Sequence, residues 1–291
     1  MNPICGCEND PVLNRVVISL PHQVVFECSG CRLWYADRLL NAGAKEQLVH
    51  SHQSEEYALS FPTIYLDSPP SNDENSRFRK AISLARTLFP DASRLIDIGC
   101  GGGKFLHYLM QSHEKWEKIV GIDVSPFLLR RAQAKNRNIV LGDIQTAPFR
   151  NSCFDIATLW DVIEHLARPL EALKEIGRIL SPKGVVILST PNADSVLHSL
   201  SLVMFKSGIG LLQKPARRVF AGHPLYFTPR SLRSLLARSG FAVQAIWQYN
   251  VASEMSFRGG LLEHGARVVD ATLGKMLKRQ YRMIIIAQKG K

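Results

Sequence analysis

Asp97-Ile98-Gly99-Cys100-Gly101-Gly102-Gly103 is the stretch that decides the fold class of this chain. A glycine-rich turn between a strand and a helix lets the backbone come close to a nucleotide ligand, because residues without Cβ avoid the steric clash. Two common nucleotide loops do not fit it. In the dinucleotide pattern G-x-G-x-x-G, the sixth position is Lys104 counted from Gly99 and Leu106 counted from Gly101. In a phosphate loop, Gly103-Lys104 would be followed by Ser or Thr to hold magnesium, and here Phe105 follows.

Outward from this loop, short β-branched runs alternate with helical periods. Strands are expected at 95–98, 118–122, 139–141, 156–160 and 185–189, and helices at 104–112, 127–135 and 170–180. A helix at 77–88 precedes them, another at 230–239 follows, and two late strands fit 241–249 and 283–288. Such alternation implies a mainly parallel sheet covered on both faces.

Acids then recur at the expected strand ends. Asp123 closes the second strand, where a carboxylate can accept both hydrogen bonds of a ribose diol. Asp143, in Gly142-Asp143-Ile144, follows the third, where it can accept from an exocyclic amine of adenine. Trp160-Asp161 ends the fourth and would flank the same crevice. Each acid alone also fits a helix cap or a solvated turn, and it is the set at this spacing that points to a ligand.

These motifs carry a resemblance. From about Arg94 to Gln248 the chain resembles class I S-adenosylmethionine-dependent methyltransferases, and is similar to the ubiquinone-pathway O-methyltransferases and to tailoring methyltransferases with a cysteine-rich N-terminal module. It rests on Leu95 to Gly103, on Gly121-Ile122-Asp123-Val124-Ser125, Gly142-Asp143-Ile144, Phe154-Asp155, Asp161-Val162-Ile163-Glu164-His165 and Leu180-Ser181-Pro182-Lys183-Gly184. The resemblance implies a Rossmann-like, doubly wound α/β sheet of seven strands, the last antiparallel, and S-adenosylmethionine as cofactor. Asp97, Gly99, Cys100, Gly101 and Gly103 would then border its methionine part, Asp123 and Val124 its ribose, and Gly142, Asp143 and Ile144 its adenine.

A sulfonium methyl is already activated, so few residues need be catalytic. If Asp161 to His165 opens a helical turn, Asp161, Glu164 and His165 converge on one face, which makes Glu164 and His165 candidates for positioning the acceptor or taking its proton. The element is similar to the Glu-x-x-Glu-His stretch that holds a divalent metal in ubiquinone-pathway and small-RNA 2′-O-methyltransferases, with Asp161 where that pattern has Glu. His223, just ahead of a helix capped by Thr228 with Pro229 in its first turn, is a third candidate. The bland alternatives are a structural turn and a satisfied loop histidine.

Four of the six cysteines lie near the N-terminus: Cys5, Cys7, Cys28 and Cys31. Two short Val- and Ile-rich strands, 15–20 and 23–27, lie between the pairs. This is the layout of a zinc ribbon, and about 30 residues hold too little core to fold without such a staple. Gly30 suits a knuckle turn at Cys28-Ser29-Gly30-Cys31, whereas Cys5-Gly6-Cys7 has one intervening residue where two are usual. The expected organisation is a zinc-ribbon-like module at 1–35, a linker at 36–76 and a methyltransferase domain at 77–291, with an insertion or lid at 192–229.

With 291 residues, 46% of them apolar, the chain can bury a full α/β core. No basic residue precedes an apolar run at the N-terminus, so no secretory signal is read there and a cytoplasmic protein is expected. Residues 195–291 carry 15 Lys and Arg against 3 Asp and Glu, so the net charge of +11 lies in the last third. That field favours an anionic partner: a charged small-molecule acceptor, a membrane surface touched through 192–221, or RNA. A solvated basic face is the bland alternative. A small-molecule O- or C-methyltransferase is the leading expectation. RNA methylation is disfavoured by the lack of aromatics interleaved with the basic residues. A non-catalytic cofactor-binding scaffold is the rival from another class.

Overall fold

Cysteine knuckles, β-branched runs and helical periods each find their element in the structure, a computed structural model that describes residues 2, 4–8, 15–21, 23–41, 43–54, 56, 70–112, 114–133, 138–220, 223–250 and 261–290. Of the ranges read above, 134–135 of the helix at 127–135, 57–69 of the linker and 221–222 of the insertion lie outside the described residues. Strands β1 (Arg15–Leu20) and β2 (Gln23–Glu27) pair antiparallel. β3 (Trp34–Ala36) extends that sheet and leads through a 3-10 turn, Asp37–Leu40, into helix α1 (Ala44–Gln53). The segment read as a linker therefore carries regular structure over much of its described length.

Helix α2 (Asn72–Leu88) starts five residues earlier than its apolar period suggests. Ser71 and Glu74 explain this: Glu74 N donates to Ser71 Oγ at 3.2 Å and Ser71 N to Glu74 Oε2 at 2.7 Å, a reciprocal cap that nucleates a polar first turn. There follow β4 (Arg94–Ile98), α3 (Lys104–Gln111), β5 (Lys118–Asp123), α4 (Pro126–Gln133), β6 (Ile139–Leu141), β7 (Phe154–Trp160), α5 (Pro169–Ile179) and β8 (Leu180–Pro191). The insertion holds two helices, α6 (Val196–Lys206) and α7 (Gly210–Val219). Last come β9 (Leu225–Tyr226), α8 (Pro229–Arg238), β10 (Phe241–Tyr249), α9 (Leu261–Met276) and β11 (Arg282–Lys289).

The main sheet has seven strands in the order β10-β11-β8-β7-β4-β5-β6, and β11, last in sequence, runs antiparallel to both neighbours. The doubly wound sheet expected from the sequence is the one observed. β4 pairs with β5 on one side and β7 on the other, so the strand order reverses at the glycine loop. α/β sheets bind ligands at the carboxyl edge of that switch point.

Alternate residues of each strand feed opposite cores, as a period of two requires. Leu95, Ile156, Val185, Ile284 and Ile286 pack under α2 with Phe78, Ala81 and Ile82. Ile96, Ile98, Leu188, Met283 and Ile285 pack with Leu173, Ile176, Leu232 and Leu235 of α5 and α8. The cysteines belong to this second core, so the N-terminal segment is docked on the α5 and α8 layer. Gly6 shows how closely: a Cβ there would lie 2.5 Å from Leu170 Cδ2, and its φ is 68°. β3 also pairs with β9, which joins the N-terminal sheet to the strand after the insertion. Among the described residues no helix is long and apolar enough to cross a membrane.

Candidate active site

Glycines make the floor of the site. Gly99, Gly101 and Gly103 take φ values of 66°, 52° and 79°, a left-handed region where a side chain is strained. A Cβ on Gly99 would sit 2.4 Å from Val162 Cγ2, so the loop after β4 lies flush against the loop after β7. Asp123 stands over this floor. Gly101 N donates to its Oδ2 and Ser125 N to its Oδ1, both at 2.8 Å. Burial pushes its pKa up, and those N–H groups offset part of the rise. The carboxylate is thus fixed in orientation and keeps lone pairs for a diol.

Asp97 is buried one strand away. Thr158 Oγ1 donates to its Oδ1 at 2.7 Å, yet burial still raises its pKa to about 7. Val124 follows Asp123, and Gly142 N donates to the Asp123 carbonyl at 2.9 Å, so the ends of β5 and β6 are laced together. Asp143 accepts from Gln145 N at 2.9 Å, and Ile144 is buried beneath. Cys100 packs into the floor, where a Cβ on Gly121 would be 2.8 Å from its sulfur. Asp97, Asp123, Asp143 and the glycines all lie at strand ends on the carboxyl edge, where the sequence places them.

Trp160 and Asp161 turn elsewhere. Trp160 meets Phe78 edge to face and Phe105 at a tilt, with ring centroids 4.6 and 5.2 Å away, in the core under α2. Asp161 has a φ of 60° and stands outside the short 3-10 turn Ile163–His165. It pairs with Arg282 and accepts from Ser189 Oγ at 3.0 Å. Asp161 therefore does not share a helical face with Glu164 and His165, because the chain is left-handed where a helix would have begun.

His223 takes the vacant place. Donor atoms of Glu164, His165 and His223 lie within 4.8 Å of one another. Thr190 Oγ1 donates to Glu164 Oε2 at 2.9 Å, while Glu164 Oε1 and His223 Nδ1 are buried atoms without a hydrogen-bond partner among the described residues. Burial, with the nearby charge of Asp161, raises the Glu164 pKa to about 8. Burial lowers His223 to about 4 and holds His165 well below the usual histidine value, with His223 adding to the effect on His165. Such a cluster can align a hydroxyl or hold a divalent cation.

One neighbour was not legible in the sequence. His52 of α1 meets His165 edge to face, with centroids 5.1 Å apart, and His165 meets His223 at 4.9 Å. Its Nδ1 lies 2.6 Å from the Leu48 carbonyl, which can only accept, so the ring proton sits there. Nothing local marks a histidine on a polar helix as part of a site; only the docking of α1 brings it in.

At the other end of the same core, Cys5, Cys7, Cys28 and Cys31 are all buried, and their sulfurs lie within 4.8 Å of one another. Cys5 and Cys28 sulfurs are 3.6 Å apart. Zinc–sulfur bonds of about 2.3 Å at tetrahedral angles separate sulfurs by about 3.8 Å. The spacing fits a shared metal ion and is far too long for a disulfide.

Residues 72–246 match the family described as Methyltransferase domain. An uncharacterized 37.1 kDa protein of transposon TN4556 from Streptomyces fradiae is 31% identical over 48% of this chain and 42% of its own length. The malonyl-[acyl-carrier protein] O-methyltransferase of Herminiimonas arsenicoxydans is 32% identical over 38% of this chain and 41% of its own. The chain thus spans about two-fifths of the length of these curated relatives. Other relatives are named as RNA or demethylmenaquinone methyltransferases. Among solved structures, a SAM-dependent methyltransferase from Archaeoglobus fulgidus superposes with a TM-score of 0.54 at 21% identity, covering 80% of this chain and all of that one, a likeness of fold.

Proposed function

Because the chain belongs to the methyltransferase-domain family, we propose that it transfers a methyl group from S-adenosylmethionine to an oxygen or carbon nucleophile of a small-molecule acceptor. The observation that carries this reading is the cluster of buried Glu164 with half-buried His165 and His223, joined to the glycine floor through the contact of Val162 with Gly99. Four aromatic residues of the basic third, Phe220, Tyr226, Phe227 and Phe241, are buried and offer no face to a nucleobase, while Phe205, Trp247, Tyr249 and Tyr281 are partly exposed.

When bound, S-adenosylmethionine supplies a methyl already activated on its sulfonium. The chain's own residues hold and align. Asp123 receives the ribose hydroxyls, Asp143 and Ile144 the adenine, and Asp97 faces the methionine end. His165 and His223 accept hydrogen bonds from the reacting group, and the apolar surroundings exclude water. A second reading, favoured by Glu164 Oε1 and His223 Nδ1, which have no hydrogen-bond partner among the described residues, is a divalent cation held by Glu164, His165 and His223. There it would lower the pKa of an acceptor hydroxyl. We read the four cysteines as a structural zinc site.

The exposed face of the insertion supports peripheral contact with an anionic lipid surface. Val203, Ile209 and Leu211 are exposed beside Lys206 and Lys214. The test of acceptor class is transfer of labelled methyl to hydroxyl-bearing small molecules in solution, to lipophilic phenols in anionic vesicles, and to total RNA, each with and without added Mg²⁺. Label in either small-molecule arm supports the reading, and stimulation by Mg²⁺ supports the cation. Label in RNA alone overturns it. A protein that binds S-adenosylmethionine and labels nothing points to a non-catalytic scaffold.

Asp97 adds a pH dependence. A carboxyl with a pKa of about 7 is largely protonated at about pH 6, and a cationic ligand beside it favours the carboxylate. Binding then releases a proton, so affinity for S-adenosylmethionine rises with pH up to about 7 and levels off above. Calorimetric enthalpies in buffers of different ionisation heat, at about pH 6, should differ in the sense of proton release. Buffer-independent enthalpies would remove Asp97 from the binding step.

A further inference from the structure

The cysteine cluster is unevenly built, and the unevenness has a partner. A zinc ion held by four thiolates carries a net charge of −2. These sulfurs are buried, packed with Ile4, Leu33 and Tyr35. Charge in such surroundings needs hydrogen-bond donors and a countercharge. Among the described residues, backbone N–H groups serve the sulfurs of Cys5 (Cys7 N), Cys28 (Gly30 N and Cys31 N) and Cys31 (Leu33 N). Those donors come from the knuckle turns themselves. The fourth sulfur lies in the short half, Cys5-Gly6-Cys7. Its donor comes from a distant part of the chain. Arg238, the last residue of α8, donates through Nη1 to Cys7 Sγ and to the Cys5 carbonyl, both at 2.8 Å.

We propose that Arg238 is the charge-compensating partner of a four-sulfur metal centre, supplying a hydrogen bond to Cys7 Sγ and a positive charge beside the Cys5-Gly6-Cys7 half. The proposal rests on the reading of the cysteines as a metal site. It makes Arg238 a positioning residue that acts through Cys7, and it makes the metal centre a fastener between the N-terminal segment and α8. That helix follows the His223 to Thr228 stretch, and β3 pairs with β9 inside the same stretch. The one-residue spacing, weak as a zinc signature taken alone, is completed in three dimensions by α8.

The experiment uses the full chain, purified without chelator, as wild type, Arg238→Met, Arg238→Gln and Arg238→Lys. Metal content is measured first, then the rate of zinc transfer to a chromophoric chelator, then the thiolate-to-cobalt charge-transfer band of the cobalt-substituted protein. Outer-shell partners of metal ligands are worth about 10–100-fold in metal affinity. Arg238→Met should therefore release zinc about tenfold faster or more and shift the cobalt band, and Arg238→Lys should recover part of both. Wild-type release and an unmoved band in folded Arg238→Met would overturn the proposal. If Arg238→Met does not fold, Arg238→Gln decides, since it keeps an N–H donor without the charge: wild-type release and an unmoved cobalt band in it would overturn the charge-compensating role. Wild-type protein with neither zinc nor a cobalt–thiolate band sinks the metal reading itself, a result distinct from a failure of Arg238 alone.

Discussion

Asp123→Ala is expected to weaken S-adenosylmethionine binding by about 100-fold or more, with the sheet still folded. Two hydrogen bonds from a ribose diol to a carboxylate are lost, each worth about 1.5–3 kcal/mol, and every 1.4 kcal/mol is about tenfold in affinity. The substitution also frees Gly101 N and Ser125 N, which both donate to this carboxylate at 2.8 Å, so the glycine floor loses the anchor that shapes it. Asp123→Asn keeps the shape and one good acceptor and should fall between the two. Titration calorimetry with S-adenosylmethionine and S-adenosylhomocysteine reads the effect, and circular dichroism checks the fold. Unchanged micromolar binding by folded Asp123→Ala would remove the cofactor site from the carboxyl edge of β5.

Replacing Cys28 and Cys31 together by serine should abolish zinc binding and release the N-terminal segment from the α5 and α8 layer. Both sulfurs are fully or almost fully buried, and serine would leave two hydroxyls in that core with neither metal nor thiolate partners. Metal binding in small zinc modules supplies about 10–16 kcal/mol of folding free energy, which so small a core cannot replace. Metal analysis should fall from about one zinc per chain to none, and limited proteolysis should cut within residues 1–53 while the seven-stranded sheet resists. Since α1 carries His52 onto His165, cleavage there also removes a neighbour of the proposed acceptor site. A double variant that keeps its zinc, or an N-terminal segment equally resistant without it, would contradict this account.

Much of the scaffold was legible because it is written in short-range patterns. The runs 15–20, 23–27, 139–141 and 241–249 became strands with those bounds, since β-branched and alternating residues specify extended backbone locally. Misreadings were also local in origin. The first turn of α2 is polar, and its capping box, not an apolar period, sets its start. Asp161 looked like the first position of a helical metal motif, but its left-handed backbone and the Arg282 partner turn it away. Helices α1, α6, α7 and α9 were not assigned: α1 is polar and α6 apolar nearly all round, which leaves little period to read, whereas α7 carries an amphipathic period of its own.

The sequence by itself determined the class of fold and the floor of the cofactor site, because glycines at positive φ and acids at strand ends act within a few residues of one another. It also determined that four cysteines must be accounted for. Only the tertiary structure decided which side chains meet. His52, His165 and His223 converge from three elements, and Arg238 finds Cys7 across 231 residues. Asp161 finds Arg282 across 121, and β3 pairs with β9. Such contacts are fixed by how helices and sheets bury their apolar faces on one another, and packing at that range leaves no period in the chain.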